Sequence, residues 1–310
     1  MPGPPIILDC DPGHDDAVAI VVAARHADLL GITTVAGNAP LERTTYNACV
    51  MRELLGISVE VHSGAERPLV AEPRHAGSVH GESGLDGADL PAPTRGADSA
   101  DALGFIIETC RSTEGTWLVA VGPLTNIALV LRLAPDLHRR IGGISLMGGG
   151  TFGNREPVAE FNVWADPEAA AAVFDAGVPL VMAGLDVTYR FVTTPDVIAR
   201  LQALPGTLAR VLGELFVFFS ANYISRHDEG LAGAAVHDPL AVLALTHPEL
   251  FVRRPRNVRV ETRGALTRGM TVIDQRTITD RPAANCDVLD DVDAEAAWEV
   301  VLEAVASFST

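Results

Sequence analysis

Six short apolar runs alternate with helical stretches over the first two-thirds of the chain, and this alternation constrains the fold more than any other feature. Residues 5–9 (PIILD), 29–36 (LLGITTVA), 58–62, 116–121 (TWLVAV), 141–147 (IGGISLM) and 179–185 (PLVMAGL) read as strands. Residues 15–26, 41–55, 100–111, 124–134 and 166–176 have helical composition. Near-continuous apolar strands must be buried on both faces, so the expected class is α/β: an open, mostly parallel sheet with helices on both faces. Further on, 196–247 reads as mostly helical, 252–278 (RNVRVETRG, MTVIDQRT) as a β-hairpin and 293–306 as a last helix. No Pro/Gly/Ser linker or internal repeat divides the chain, so residues 1–310 are expected to form one domain with a helical and hairpin extension. Residues 64–99 form the longest irregular stretch, a length that points to function or disorder.

Composition removes whole chemistries. The chain carries 40 acidic and 23 basic residues, a formal net charge of −17, and every basic residue is Arg. Without lysine there is no Schiff-base or pyridoxal-phosphate enzyme and no P-loop. A nucleic-acid polymer is a poor partner, because such binding rests on many cationic contacts to phosphate. The four cysteines (Cys10, Cys49, Cys110, Cys286) form no CxxC and read as reduced thiols. The N-terminus has no cationic n-region, and the longest apolar runs, such as 17–24, fall short of the ~20 residues of a membrane span. The expectation is a cytoplasmic protein without a membrane segment.

The chemistry concentrates in a few segments. Asp9-Cys10-Asp11-Pro12-Gly13-His14-Asp15-Asp16 places four carboxylates where a strand meets a helix N-terminus. Capping and the helix dipole explain one or two of them. Four crowded like charges need a cation, and with no lysine a hard metal ion held by oxygen ligands, Ca²⁺ or Mg²⁺, is the natural answer. A DxD after the first strand also fits a haloacid-dehalogenase-type phosphatase. That chemistry needs a lysine, and Gly13 stands where Thr or Val is expected. Asp238 and Asp166 each precede a proline and read as N-caps. Glu160 and Asn162 share one face if their segment is extended, a pattern suited to hydroxyl recognition. Gly148-Gly149-Gly150 follows a strand and lets backbone approach a ligand closely. His80-Gly81-Glu82-Ser83-Gly84 in the long loop reads as a solvated turn.

Taken in order, these pieces resemble the inosine–uridine preferring nucleoside hydrolase family: DCDPGHDDAVAI at 9–20, TTVAGN at 33–38, HGESGLDG at 80–87, VGPLTNIA at 121–128, LMGGG at 146–150, AEFNVWADPEAA at 159–170, GLDVT at 184–188, AAVHDP at 234–239 and GMTVID at 269–274. The resemblance implies a Rossmann-like sheet, assembly as a homo-oligomer (tetramer or dimer), nucleoside salvage, and Ca²⁺-dependent hydrolysis of the N-glycosidic bond of small-molecule ribonucleosides. It implies Asp11, Asp16, Asp238 and the Val121 carbonyl as metal ligands, with Asp11 the general base. Asp15, Asn38, Glu160 and Asn162 match the ribose-binding set. Met147 and Asn154 would line the 5′ side, and Phe161 belongs to the same pocket. His80 and His237 match histidines near the base, and His237 would protonate the leaving group. The chemistry agrees with an oxocarbenium-like sugar that needs an activated water, an acidic pocket and an eased departure of the base.

Base preference is the weakest part of the resemblance. Counting back from His237 puts Ala221, Ser225 and Glu229 at positions where the family carries base-contacting side chains. Tyr223, Arg226 and His227 would substitute only with a shifted register. His14 and the GLAG at 230–233 resemble members that favour pyrimidines, which points to uridine and cytidine. Residues 64–99 and 221–231 are candidate lids. Two other readings stay open: a hydrolase of another N-riboside (nicotinamide riboside or a modified nucleoside), and a non-catalytic ribose- or nucleoside-binding protein.

Overall fold

The computed structural model describes residues 3–225 and 232–308. Its strands are β1 (Pro5–Cys10), β2 (Asp28–Thr34), β3 (Val61–Ser63), β4 (Trp117–Ala120), β5 (Gly143–Met147), β6 (Leu180–Ala183), β7 (Val192–Thr193), β8 (Ala234–Ala235), β9 (Phe251–Arg256), β10 (Val258–Val260), β11 (Thr271–Ile273) and β12 (Cys286–Val292). Eight form one sheet in the order β3-β2-β1-β4-β5-β6-β12-β9. All neighbours are parallel except β9, which closes the edge antiparallel to β12. The six expected strands are all present, the third shifted from 58–62 to 61–63.

Two parts of the sequence reading are corrected. Residues 286–292 are a sheet strand that was not anticipated, because Asp287, Asp290 and Asp291 interrupt the apolar run and a register shift between Leu289 and Asp291 breaks the alternation. The start of the expected hairpin, 251–256, joins the main sheet beside it instead. The hairpin itself is shorter, β10 with β11.

Helices cover both faces. On one face, helix His14–His26 packs with helices Pro239–Thr246 and Ala294–Ser307. It is buried continuously from His14 to Ala23, as its all-round apolar composition requires. The other face carries helices Ala102–Ser112, Thr125–Leu133 and Pro167–Phe174. Helix Thr207–Ile224 is long and apolar enough to cross a bilayer, a length that the reading of short apolar runs did not anticipate. Its Leu208, Leu212, Leu215, Phe216 and Phe219 join the core.

Strand order reverses between β1 and β4. The turns leaving those two strands diverge there and open a crevice beyond their carboxyl ends, the place where open α/β sheets bind ligands. The Asp11–Gly13 turn follows β1, Val121 follows β4 and Gly148 follows β5.

Candidate active site

The acidic segment divides in two. Within β1, side-chain alternation turns Asp9 away from the Cys10 face, and its Oδ1 accepts hydrogen bonds from Thr33 Oγ1 (2.6 Å) and Asn126 Nδ2 (2.8 Å). Burial pushes its carboxyl up to about 6. Asp9 therefore leaves the cluster of four counted in the sequence. Asp16 accepts from the backbone N–H of Asp11 (3.0 Å) and of Gly13 (2.9 Å) and from Asn38 Nδ2 (3.1 Å), so it does serve the turn and helix start. Asp238 occupies the N-cap position before Pro239, as read, but its side chain makes no cap bond. Its carboxyl turns toward Asp16. Asp166 is the cap expected, accepting from Ala169 N at 3.1 Å.

Asp15, Asp16 and Asp238 are buried, with one oxygen from each lying within 4.8 Å of the others. The sequence put Asp11 in this set. The structure instead groups Asp15 with Asp16 and Asp238 and leaves Asp11 beside them. Asp11 Oδ2 accepts from Asn38 N at 2.6 Å, while its Oδ1 and Asp15 Oδ1 are buried without a partner. The Val121 carbonyl accepts from Asn162 Nδ2 at 2.9 Å. Burial, aided by the neighbouring acids, raises the carboxyls of Asp11 and Asp238 well above their usual range and Asp16 to about 7.

Two glycines make room for Asp11. A Cβ on Gly37 would lie 2.0 Å from Asp11 Oδ2, and one on Gly122 would lie 2.5 Å from Oδ1. This is the physical content of the TTVAGN and VGPLTN segments. The 148–150 glycines behave differently from the expectation. Gly149, at φ +70°, approaches Thr271 and Met182, and its N–H donates to Glu160 Oε2 (2.9 Å), so the close approach is to the protein itself.

A cleft of about 700 Å³, mouth included, opens above the acids. Asp15 and Asp238 reach its lining, whereas Asp11 and Asp16 lie beneath it. One wall carries Met147, Asn154, Glu160, Phe161 and Asn162. Glu160 is not on an extended segment. It caps the short helix Phe161–Ala165, accepting from Asn162 N (2.9 Å) and Val163 N (3.1 Å), and burial pushes its carboxyl up to about 7. The two-residue spacing thus brings Glu160 and Asn162 together through a cap rather than a strand. Asn154 Oδ1 accepts from Phe161 N and braces the same helix.

Asn38, His80 and His237 also line the cleft, and all three are buried. His80 is reached through the 64–99 stretch, which adds Ala76 and Val79. It is a buried site residue and not the solvated turn that the bland reading of its loop suggested. His14 lies behind it: the two rings stack, with their Nδ1 atoms 3.1 Å apart, and His14 Nε2 meets the Asp86 carbonyl at 2.9 Å. Burial lowers His14 to about 3 and His80 to about 4, so both are neutral. His237 Nδ1 pairs with Thr188 Oγ1 at 2.7 Å, and its backbone N–H donates to Asp15 Oδ2 at 3.4 Å.

From helix Thr207–Ile224 the cleft receives Phe219 and Tyr223, whose hydroxyl hydrogen-bonds that of Tyr189. Ala221 and Ser225 are exposed, so counting back from His237 gave the wrong register. Spacing of four on one helical face was the available signal. Glu229, Arg226, His227 and the start of GLAG lie outside the described residues. Arg155, at the mouth, was also missed.

A floor of acids, amides for hydroxyls, and imidazoles beside aromatic rings suit an uncharged sugar joined to a flat base. The family model for inosine-uridine preferring nucleoside hydrolases matches residues 6–299. Pyrimidine-specific ribonucleoside hydrolase RihA of Enterobacter sp. (strain 638) is 42% identical over 310 residues, covering 98% of both chains. RihA of Escherichia coli (strain SMS-3-5 / SECEC) is 44% identical over 296 residues, 94% of each. A purine-preferring ribonucleoside hydrolase from Gardnerella vaginalis superposes with a TM-score of 0.91 at 32% identity, over 98% of both chains. The chain belongs to the inosine-uridine preferring nucleoside hydrolase family and is a ribonucleoside hydrolase.

Proposed function

We propose that the enzyme cleaves pyrimidine ribonucleosides, uridine and cytidine, with a resident Ca²⁺ and with Asp11 as general base. The observation that carries this reading is the buried Asp15, Asp16, Asp238 trio with Asp11 beside it, Asp15 Oδ1 and Asp11 Oδ1 both lacking a hydrogen-bond donor. Burying that much like charge is costly unless a cation sits among it, and an all-oxygen donor set suits a hard ion of tolerant geometry. The residues fit: Asp16 and Asp238 would hold the ion, with Asp15, Asp11 and the Val121 carbonyl beside them. When bound, the ion supplies positive charge that keeps these carboxylates ionised and lowers the pKa of water at the floor.

The chain's own groups then divide the work. Asp11 Oδ1, with no internal donor to satisfy, takes a proton from the attacking water. Asp15, Asn38, Glu160 and Asn162 hold the ribose hydroxyls and place acidic charge around a ring that becomes cationic. His237, its ring held by Thr188, donates a proton to the departing base. Phe219 and Tyr223 offer surfaces for a flat base. The pyrimidine assignment is supported by the names of the relatives 42% and 44% identical, against the purine preference named for the structure at 32%. The same reading makes the protein a cytoplasmic homo-oligomer in nucleoside salvage, and sedimentation of the purified protein checks the assembly.

Incubation with uridine, cytidine, inosine and nicotinamide riboside, with Ca²⁺ or with chelator, tests the proposal through released sugar. Fast release from the two pyrimidine nucleosides, dependent on Ca²⁺ and lost by several orders of magnitude in Asp11→Ala, is expected. Undiminished turnover after exhaustive chelation refutes the metal assignment, and a faster inosine reaction refutes the base assignment.

A further inference from the structure

Tyr189 has no task in the hydrolysis proposed above. It follows the one-turn helix Leu185–Thr188 and stands behind the cleft wall, not in it. Its support is fixed on every side. Leu185 N donates to the Gly149 carbonyl at 2.8 Å. Val236 N donates to the Phe191 carbonyl at 2.9 Å, which ties the approach to His237 to the same segment. Asp186 accepts from Thr151 N at 2.8 Å, and Arg190 pairs with Asp291 at 3.0 Å. The Tyr189 N–H itself donates to the Leu185 carbonyl at 3.1 Å, and Phe152 packs on its ring with centroids 5.6 Å apart. Tyr189 is thus a half-buried side chain on a braced turn.

From there it touches two groups of the cleft. Its ring meets the His237 imidazole edge-on, with centroids 5.4 Å apart and planes at 78°. Thr188, its neighbour, already holds His237 Nδ1 at 2.7 Å. One hydrogen bond lets an imidazole tilt about it, and a ring packed edge-on blocks that tilt. The Tyr189 hydroxyl hydrogen-bonds the Tyr223 hydroxyl. Tyr223 lines the cleft and is only 5% exposed, and a hydroxyl that deep needs a polar partner to keep one orientation.

We propose that Tyr189 is a positioning residue for departure of the base: its ring sets the angle of His237, and its hydroxyl sets the orientation of Tyr223. This rests on the proposed function, in which His237 protonates the base. The two ends of one side chain then act on different steps. The hydroxyl serves binding of the base through Tyr223. The ring serves proton transfer through His237. A leaving group that departs as a stable anion, such as 4-nitrophenolate, needs no acid and so makes little use of that angle.

The purified enzyme with Ca²⁺ is given uridine and 4-nitrophenyl β-ribofuranoside. Tyr189→Phe keeps the ring and removes the hydroxyl. It should raise KM for uridine about fivefold, the worth of one neutral hydrogen bond, with kcat nearly constant. In a Tyr223→Phe background the same change should do nothing further, because that bond is already gone. Tyr189→Ala should also lower kcat for uridine about tenfold or more, and this loss should exceed the loss on the nitrophenyl riboside at least about fivefold. Equal losses on the two substrates in Tyr189→Ala, or a Tyr189→Phe effect of the same size in both backgrounds, overturns this inference alone. A purely structural role would give those results. Equal losses in His237→Ala, or no turnover of uridine, sinks the proposed function and this inference with it.

Discussion

Replacing Gly37 by alanine places a Cβ 2.0 Å from Asp11 Oδ2, where real Cβ contacts essentially never fall below 3.0 Å. The neighbour is a buried carboxylate on a short turn, pinned by Asn38 N at 2.6 Å, so it is not the free end of a flexible chain. On its other side Oδ1 faces Gly122, where an added Cβ would fall 2.5 Å away, so the room for retreat is narrow. The carboxylate must therefore shift by about 1 Å or more. A displacement of about 1 Å in a catalytic group costs on the order of 10²-fold in rate. Overpacking and a weakened charge-assisted hydrogen bond add roughly 1–3 kcal/mol of destabilisation. Gly37 lies outside the left-handed region, so the effect is steric and not conformational. Uridine turnover and Tm are measured for Gly37→Ala and Gly122→Ala, with Gly96→Ala as control, since a Cβ there meets nothing within 4 Å. Both site variants should lose about two orders of magnitude in kcat while the control matches wild type. A Gly37→Ala enzyme with wild-type kcat and Tm would show that Asp11 needs neither this room nor this position.

Chelation should lower Tm and abolish turnover, Ca²⁺ should restore both, and Asp238→Asn should blunt the restoration; calorimetry with and without Ca²⁺ reads this out. His14 and His80, held at about 3 and about 4 against an ordinary 6.5, stay neutral in the fold. Protonation then favours the unfolded chain, so their contribution is intact above pH 6.5 and declines as pH falls from 6.5 toward 4. NMR of both imidazoles should show no titration between pH 8 and 5, and a midpoint near 6.5 contradicts the packing described. Tyr223→Ala should raise KM for uridine about tenfold or more through lost stacking, whereas the exposed Ser225→Ala should leave it unchanged. Equal effects of the two substitutions would restore the register counted from His237.

The six parallel strands and their helices were legible because period and apolar content are local properties. Strand β12 was not, since its aspartates hide a strand that is buried only because β6 and β9 flank it. Asp166 was read correctly as a cap because Asp-Pro is a local signal. Asp238, with the same dipeptide, also stands at a helix start, but its carboxyl turns to Asp16, 222 residues away in the chain, instead of capping. The register of Phe219 and Tyr223 failed for a related reason: counting along the chain from His237 assumes a loop length, and only the packed face of the helix decides which side chains turn inward.

What the sequence alone determined was the inventory: an α/β sheet, an acidic turn at a strand end, no lysine to neutralise it, and the ordered segments that mark the family. Tertiary structure decided the assignment within that inventory. It sent Asp9 under the sheet and brought Asp15 together with Asp238. It cut room for Asp11 with two distant glycines and turned Phe219 and Tyr223 into the cleft. Charge and spacing are written residue by residue, but which carboxylates share a dielectric, and which oxygen is left without a donor, depends on the strand order that places the ends of β1, β4 and β5 around one crevice.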